Sequence, residues 1–297
     1  MNMETLKFFI VDVFAQEKYT GNQLAVFLLD SPIPDLQMQK IAKEINYSET
    51  TFVTSRTLRE GGYDVRIFTP NEEIPFAGHP TLGTAFIIAR EMIQKPVETI
   101  NLNFKVGQIP VSLHYQNELL EVLWMQQKQP TFHQKLAATS LATVLNIDLD
   151  DIDARFPIQE VSTGLPFIIV PLKTLQALKK IKVDKDKYFK LIETTEAKAI
   201  LAFCPETYDS SNDLSVRVFV EYFGIPEDPA TGSANGCLAG YLLQYGYFGE
   251  ESLNLKVEQG HEIQRPSLLL LKAEKNGEKI DVFVGGKVIS VAKGEFV

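Results

Sequence analysis

Cysteine is scarce in this 297-residue chain, and the two present, Cys204 and Cys237, sit in apolar surroundings with no C-x-x-C partner. That excludes a disulfide framework and a zinc knuckle, and it fits a reducing compartment. Histidine is nearly as rare. His79, His114, His133 and His261 never fall at i, i+3 or i, i+4, so no helix presents two of them to one ion and no metal site is expected. Long apolar runs are missing: Phe167–Val170 and Leu268–Leu271 fall far short of the roughly 18 residues that span a bilayer. Leu6–Phe14 carries Lys7 and Asp12 and has no small-residue cleavage site behind it, so it does not read as a secretory signal. Positive charge is in deficit, with 29 Lys and Arg against 38 Asp and Glu, which argues against a nucleic-acid or anionic-membrane partner. A cytoplasmic chain is expected. Nucleotide signatures fail as well, because no G-x-G-x-x-G follows a strand and Thr84 stands where G-H-P-T-L-G would need the phosphate-loop lysine.

What is present is ordinary globular material: 45% hydrophobic residues over a length that suggests two domains. Lys7–Phe14 and Gln23–Leu29 read as a hairpin around Gln16–Asn22, and the periodic Leu36, Met38, Ile41, Ala42 and Ile45 read as a helix ended by Asn46–Ser48. Strands are expected at Thr50–Thr54 and Val65–Phe68, an apolar helix over Thr81–Ile93, and strands at Thr99–Phe104, Gln108–Tyr115 and Leu119–Met125. The second half repeats the first. Val65-Arg66-Ile67-Phe68 recurs as Val216-Arg217-Val218-Phe219, and Ile74-Pro75 as Ile225-Pro226, both offset by 151. Ala77-Gly78-His79-Pro80 aligns with Thr231-Gly232-Ser233-Ala234 at 154, ahead of a second apolar helix, Asn235–Tyr245, and Thr20-Gly21 aligns with Thr163-Gly164 at 143. Several matches in one order point to duplication of a β-rich domain with one central helix. A pocket between two such copies is the default ligand site.

In both halves a glycine and a polar residue open the central helix: Gly78-His79 and Gly232-Ser233. A helix N-terminus offers unpaired N–H groups and the positive end of the macrodipole, so glycine there lets an anion approach the backbone. Asp228 and Ser233 flank the second terminus; either also serves as a turn or cap residue. Gly232, Gly236 and Gly240, four apart, read as close packing of the helix on a sheet. Glu49, just before a strand and among hydroxyls and apolar residues, becomes a group able to give and take a proton if a pocket desolvates it.

Three strings together, N-Y-S-E-T-T-F-V (Asn46–Val53), F-T-P-N-E-E-I-P-F-A-G-H-P-T-L-G-T-A (Phe68–Ala85) and E-D-P-A-T-G-S-A (Glu227–Ala234), resemble the phenazine-biosynthesis PhzF-like isomerases, and Val11–Val26 and Val284–Phe296 extend the likeness. The resemblance implies an α+β fold like that of diaminopimelate epimerase, with two pseudo-symmetric domains, each a β-barrel-like sheet around a central helix. The first would cover residues 1–125 completed by the strand 287–297, and the second 131–286. Where those epimerases carry a cysteine before each helix-opening glycine, this chain has Ala77 and Thr231, which excludes two-thiol racemisation. The resemblance implies instead a cofactor-independent isomerase and, from the family, a homodimer. Glu49 would shuttle a proton, with His79, Asp228 and Ser233 assisting, and the amides at Gly78-His79 and Gly232-Ser233 would bind the carboxylate of a small-molecule substrate. His79, with an ordinary pKa near 6.5, would hold or give a proton at working pH. Two other readings use the same residues: a non-catalytic binding protein, and an epimerase with Glu49 and Asp228 as its two acid–base groups.

Overall fold

The computed structural model describes residues 5–297, which fall into two units, one running up to Met125 and resuming at Gly285–Val297, the other Gln126–Val284. The first unit opens on β1 (Leu6–Val13) and β2 (Asn22–Leu28), an antiparallel pair. Gly21 closes the turn between them at φ +68°, where a Cβ would lie 2.4 Å from the Val13 carbonyl, so only glycine fits. Helix α1 (Asp35–Ile45) follows and stops at Asn46, whose left-handed φ of 57° lets its N–H reach the Ala42 carbonyl. The chain then lays β3 (Thr50–Val53) parallel to β2, and β4 (Tyr63–Phe68) antiparallel to β3. After the short β5 (Glu73–Ile74) comes the central helix α2 (Gly78–Ile87), continued by a π turn over Ile88–Ile93. Strand β6 (Thr99–Phe104) pairs parallel to β4, and β7 (Gly107–Gln116) and β8 (Leu119–Gln126) add on antiparallel.

The second unit uses the same sequence of steps. β9 (Thr131–Leu136), α3 (Ala138–Leu145), β10 (Ile158–Ser162) and β11 (Pro166–Pro171) lead through α4 (Leu175–Lys179) and α5 (Lys185–Ile192) to β12 (Ala199–Cys204), which is parallel to β11. β13 (Leu214–Val220) and β14 (Ile225–Asp228) add on antiparallel, and the central helix α6 (Gly232–Gln244) then carries the chain to β15 (Ser252–Gln259), parallel to β13. β16 (Ser267–Asn276) pairs antiparallel to β15, and β17 (Lys279–Gly286) follows it. The last strand, β18 (Val288–Phe296), belongs to the first unit, antiparallel to β1, just as β9 pairs with β10 in the second. The two parallel steps fall at matching places: β2–β3 with β11–β12, and β4–β6 with β13–β15. The short repeats read from the sequence are therefore the visible remnant of a duplicated topology. This is the α+β arrangement of a sheet wrapped round a central helix.

Each sheet is covered on both faces. α2 packs on β1, β2, β3, β6, β7 and β18, and α6 on β10, β11, β15 and β16. Every residue of α2 is buried. A helix surrounded this way has no polar stripe, which is why its sequence is apolar all round. The other face of the first sheet carries Ala25, Phe27, Phe52 and Phe68 under Met38, Ile41 and Ala42 of α1. In the second unit Ile168, Val170, Ile200 and Ala202 lie under residues of α3, α4 and α5.

The V-R-[IV]-F strings prove to be clamps. Arg66 grips Glu73 through Nε and Nη2 at 2.8 and 2.7 Å, and Arg217 grips Glu227 the same way at 2.9 and 2.6 Å. Each pair ties a long strand to the short strand that delivers the central helix.

The structure departs from the sequence expectations at three points. α2 starts at Gly78, ahead of Thr81, because Pro80 in a first turn has no N–H to leave unpaired. The second unit takes in Gln126–Pro130, since the Gln127 N–H bonds the Val282 carbonyl at 2.8 Å. And Gly236 and Gly240 are packed against that same connection: a Cβ would meet the Gln127 side chain at 2.9 Å and Pro130 at 2.7 Å.

Two stability measurements test this packing. At Gly83 a Cβ would fall 2.6 Å from Leu24 and 3.0 Å from Val13. Gly83→Ala therefore sets an overpacking cost of about 1–3 kcal/mol against a helix-propensity gain of about 1 kcal/mol, and denaturant titration is expected to show a net loss; a more stable variant would contradict the close approach. Arg217 and Glu227 are more buried (side chains 9% and 7% exposed) than Arg66 and Glu73 (25% and 15%). Arg217→Met, which strands a buried carboxylate, is expected to cost about 3–5 kcal/mol, and Arg66→Met distinctly less by the same titration.

Candidate active site

Glu49 owes its place to α1 and β3. Asn46 ends the helix, two residues turn the chain, and Glu49 is the last residue before β3. Strand side chains alternate, so Glu49 and Thr51 point to one face and Phe52 to the other. Thr51 meets Thr84 of α2 hydroxyl to hydroxyl at 2.8 Å, while Phe52 stacks on Phe27 on the α1 side. Two strand residues back from Thr51 cover about 6.6 Å, and five helix residues back from Thr84 cover about 7.5 Å. The register that joins the two threonines therefore brings Glu49 to His79. Glu49 Oε2 lies 3.5 Å from His79 Nε2, with the Glu49 side chain 18% exposed.

His79 itself is buried in the first turn of α2. Its imidazole hydrogen-bonds to the backbone of Gln23, while Nε2 makes no hydrogen bond. Nδ1–H thus donates to the Gln23 carbonyl, and Nε2 carries the lone pair that faces Glu49. Burial pushes the imidazole down to about 3, only partly offset by the bond to Gln23. The sequence expectation of a histidine holding or giving a proton near neutrality is therefore corrected: His79 is a neutral acceptor throughout the working range. Other carboxylates are held differently. Glu73 is kept below the ordinary carboxylate range by its hydrogen bonds to Arg66, despite partial burial.

In the second unit Asp228 ends β14 and is buried. Thr231, the N-cap residue of α6, does not cap the helix with its side chain; its hydroxyl donates to Asp228 Oδ2 at 2.5 Å. Gly232 is the first residue of α6, and Ser233, half-buried, is the second and not the cap. Ala77 likewise occupies the N-cap of α2, so the two places where the resembling epimerases carry cysteine are structurally equivalent.

Gln259 was not singled out from the sequence. It is fully buried at the end of β15, and its amide N–H groups donate to the Asp228 carbonyl at 2.8 Å and Thr231 Oγ1 at 3.1 Å, while its oxygen accepts from Thr231 N–H at 3.2 Å and Asn235 at 2.9 Å. A signal existed: Leu253, Leu255 and Val257 form the inward register of β15, and Gln259 is a polar residue continuing it. Among the described residues no group of three or more His, Cys, Asp or Glu side chains is placed to hold a metal ion, and no helix is long and apolar enough to cross a membrane.

Comparison with known proteins gives the family and the fold. Residues 11–294 match the family described as phenazine biosynthesis-like protein (PhzC-PhzF). A trans-2,3-dihydro-3-hydroxyanthranilate isomerase of Pseudomonas fluorescens is 35% identical over 97% of this chain and 98% of its own length. A crystal structure of a phenazine biosynthesis protein of the PhzF family from Bacillus anthracis superposes with a TM-score of 0.91 at 27% identity, covering 99% of this chain and 100% of that one. A probable proline racemase from Agrobacterium radiobacter, 10% identical with a TM-score of 0.68 over 98% of this chain and 93% of that one, shares the fold.

The neutral His79 is open to measurement. Its folded pKa lies below the unfolded value of 6.5, so protons bind the unfolded chain first and its contribution to stability is lost as pH falls from about 6.5 towards about 3. NMR of the ring is expected to show no titration of His79 between pH 5 and 8; a midpoint near 6.5 would contradict the buried neutral state.

Proposed function

The chain belongs to the phenazine biosynthesis-like family of isomerases, and from that premise we propose that it moves a proton and a double bond on a small conjugated carboxylic acid, without a cofactor, using Glu49 as both base and acid. The observation that carries this reading is the 3.5 Å approach of Glu49 to a neutral imidazole. A carboxylate gripped by a guanidinium, as Glu73 is, strongly favours its charged form and is a poor proton carrier. Beside a bare Nε2 the protonated state of Glu49 finds a hydrogen-bond acceptor, which a guanidinium partner could not offer.

In the proposed reaction Glu49 removes a proton from a carbon conjugated with the carboxylate, the electron pair spreads through the π system towards that carboxylate, and Glu49 returns the proton at another carbon of the same face. The double bond shifts and the composition of the molecule is unchanged. The negative charge developing on the carboxylate is assigned to the backbone amides at Gly78–His79, the positive end of a fully buried helix. The repeat-related amides at Gly232–Ser233 are assigned the same class of ligand, with Asp228 accepting from a substrate hydroxyl or amine. Because a 35% identical relative is named for it, trans-2,3-dihydro-3-hydroxyanthranilate is the first compound to test, ahead of other small conjugated acids.

Glu49→Gln keeps the shape and removes the base. Turnover and deuterium uptake from heavy water are expected to fall by about 10²–10⁴-fold while the variant binds the same acid. Undiminished exchange in Glu49→Gln would refute the shuttle, and binding without exchange in the wild-type chain would favour a non-catalytic binding protein.

A further inference from the structure

The two copies of the fold have diverged at one buried position. β4 places Asp64 opposite Asn103 of β6, and β13 places Ser215 opposite Glu258 of β15. The V-R-[IV]-F strings align Asp64 with Ser215, so Asn103 corresponds to Glu258 and the next residues, Phe104 and Gln259, correspond to each other. In the first copy Phe104 packs edge-on against Phe76, and Phe76 corresponds in turn to Ala230. The fold thus accommodates an apolar side chain behind the N-terminus of the central helix. In the second copy that place holds an amide with all four of its bonding positions matched.

The direction of those bonds is dictated. An amide nitrogen only donates, so Thr231 Oγ1 accepts from Gln259 and its single proton must go elsewhere. It goes to Asp228 Oδ2 at 2.5 Å. A threonine at an N-cap ordinarily turns its oxygen to the first-turn N–H groups, whereas Thr231 makes no such bond. Gln259 also holds the Thr231 N–H and the Asp228 carbonyl, so both ends of the loop Asp228–Thr231 are pinned to one side chain.

We propose that Gln259 is a positioning residue of the site: by donating to Thr231 it orients that hydroxyl onto Asp228, which fixes the carboxylate and keeps the hydroxyl off the amides of Gly232 and Ser233. On the functional reading above Asp228 accepts from the substrate; Gln259 does not reach the substrate and acts on the Asp228 carboxylate through Thr231, besides holding the Asp228 backbone carbonyl. The inference rests on the functional reading above for what Asp228 binds, but not for the relay itself.

The relay is tested by NMR of the ligand-free chain at one pH. The Gln259 side-chain amide protons are expected to be protected from exchange, and the Asp228 carboxyl carbon, assigned by its loss in Asp228→Asn, to shift in Thr231→Val and by a similar amount in Gln259→Leu. The double variant should shift it by clearly less than the sum of the two, since both break one relay, and Thr231→Ser, which keeps the hydroxyl, should restore it. On the substrate identified for the wild type, Gln259→Leu and Thr231→Val are each expected to lose about tenfold in kcat/KM, the worth of one hydrogen bond, and Thr231→Ser to recover it. An Asp228 resonance indifferent to both Gln259→Leu and Thr231→Val, or shifts that simply add in the double variant, would overturn the proposal. Because the NMR needs no substrate, its failure is distinct from a failure of the Glu49→Gln assay.

Discussion

Burying a helix on every side is the constraint from which the rest of each unit follows. Such a helix has no wet face, so its sequence is apolar throughout, and the sheet must wrap round it. Its ends pose a separate problem. The first-turn N–H groups have no partner within the helix, and neither Ala77 nor Thr231 caps its helix with a side chain. The fold therefore carries two buried, electropositive termini, and any polar side chain placed beside them must be matched or neutral. His79 answers by staying uncharged and bonding Gln23; Thr231 answers by bonding Asp228.

Environment, not residue type, separates the carboxylates. Glu73 and Glu227 lie in the corresponding short strands β5 and β14 and are locked by arginines into a structural role. Glu258 accepts from Tyr208 N, Asp209 N, Asn212 and Ser215, a set of donors that fixes a loop. Glu49 is set against an imidazole that burial keeps neutral. Among side chains of one chemistry, that contrast sets Glu49 apart, and the proposed proton transfer rests on it.

Much of this was legible in the chain. Helix α1 and its stop at Asn46, the strands either side of it, the duplication and the helix-opening glycines all rest on local rules: apolar periodicity, the left-handed preference of asparagine and glycine, and turn chemistry. The start of α2 was misplaced because proline reads as a breaker until its position within the first turn is known. The packing partner of Gly236 and Gly240 was out of reach because it lies more than a hundred residues away. Gln259 was passed over although it breaks the apolar register of β15, since only the fold shows which face that register buries.

The sequence by itself determined the family, the duplicated α+β plan and the residue types at each helix terminus, because these depend on short-range pattern and on strings long enough to be specific. Tertiary structure alone decided which groups meet and in what charge state. The 3.5 Å contact of Glu49 with His79, the neutrality of that histidine, and the turning of Thr231 away from its helix all arise from burial and from hydrogen bonds between residues distant in the chain. Desolvation is a property of the surroundings, and no residue carries its surroundings in its own letter.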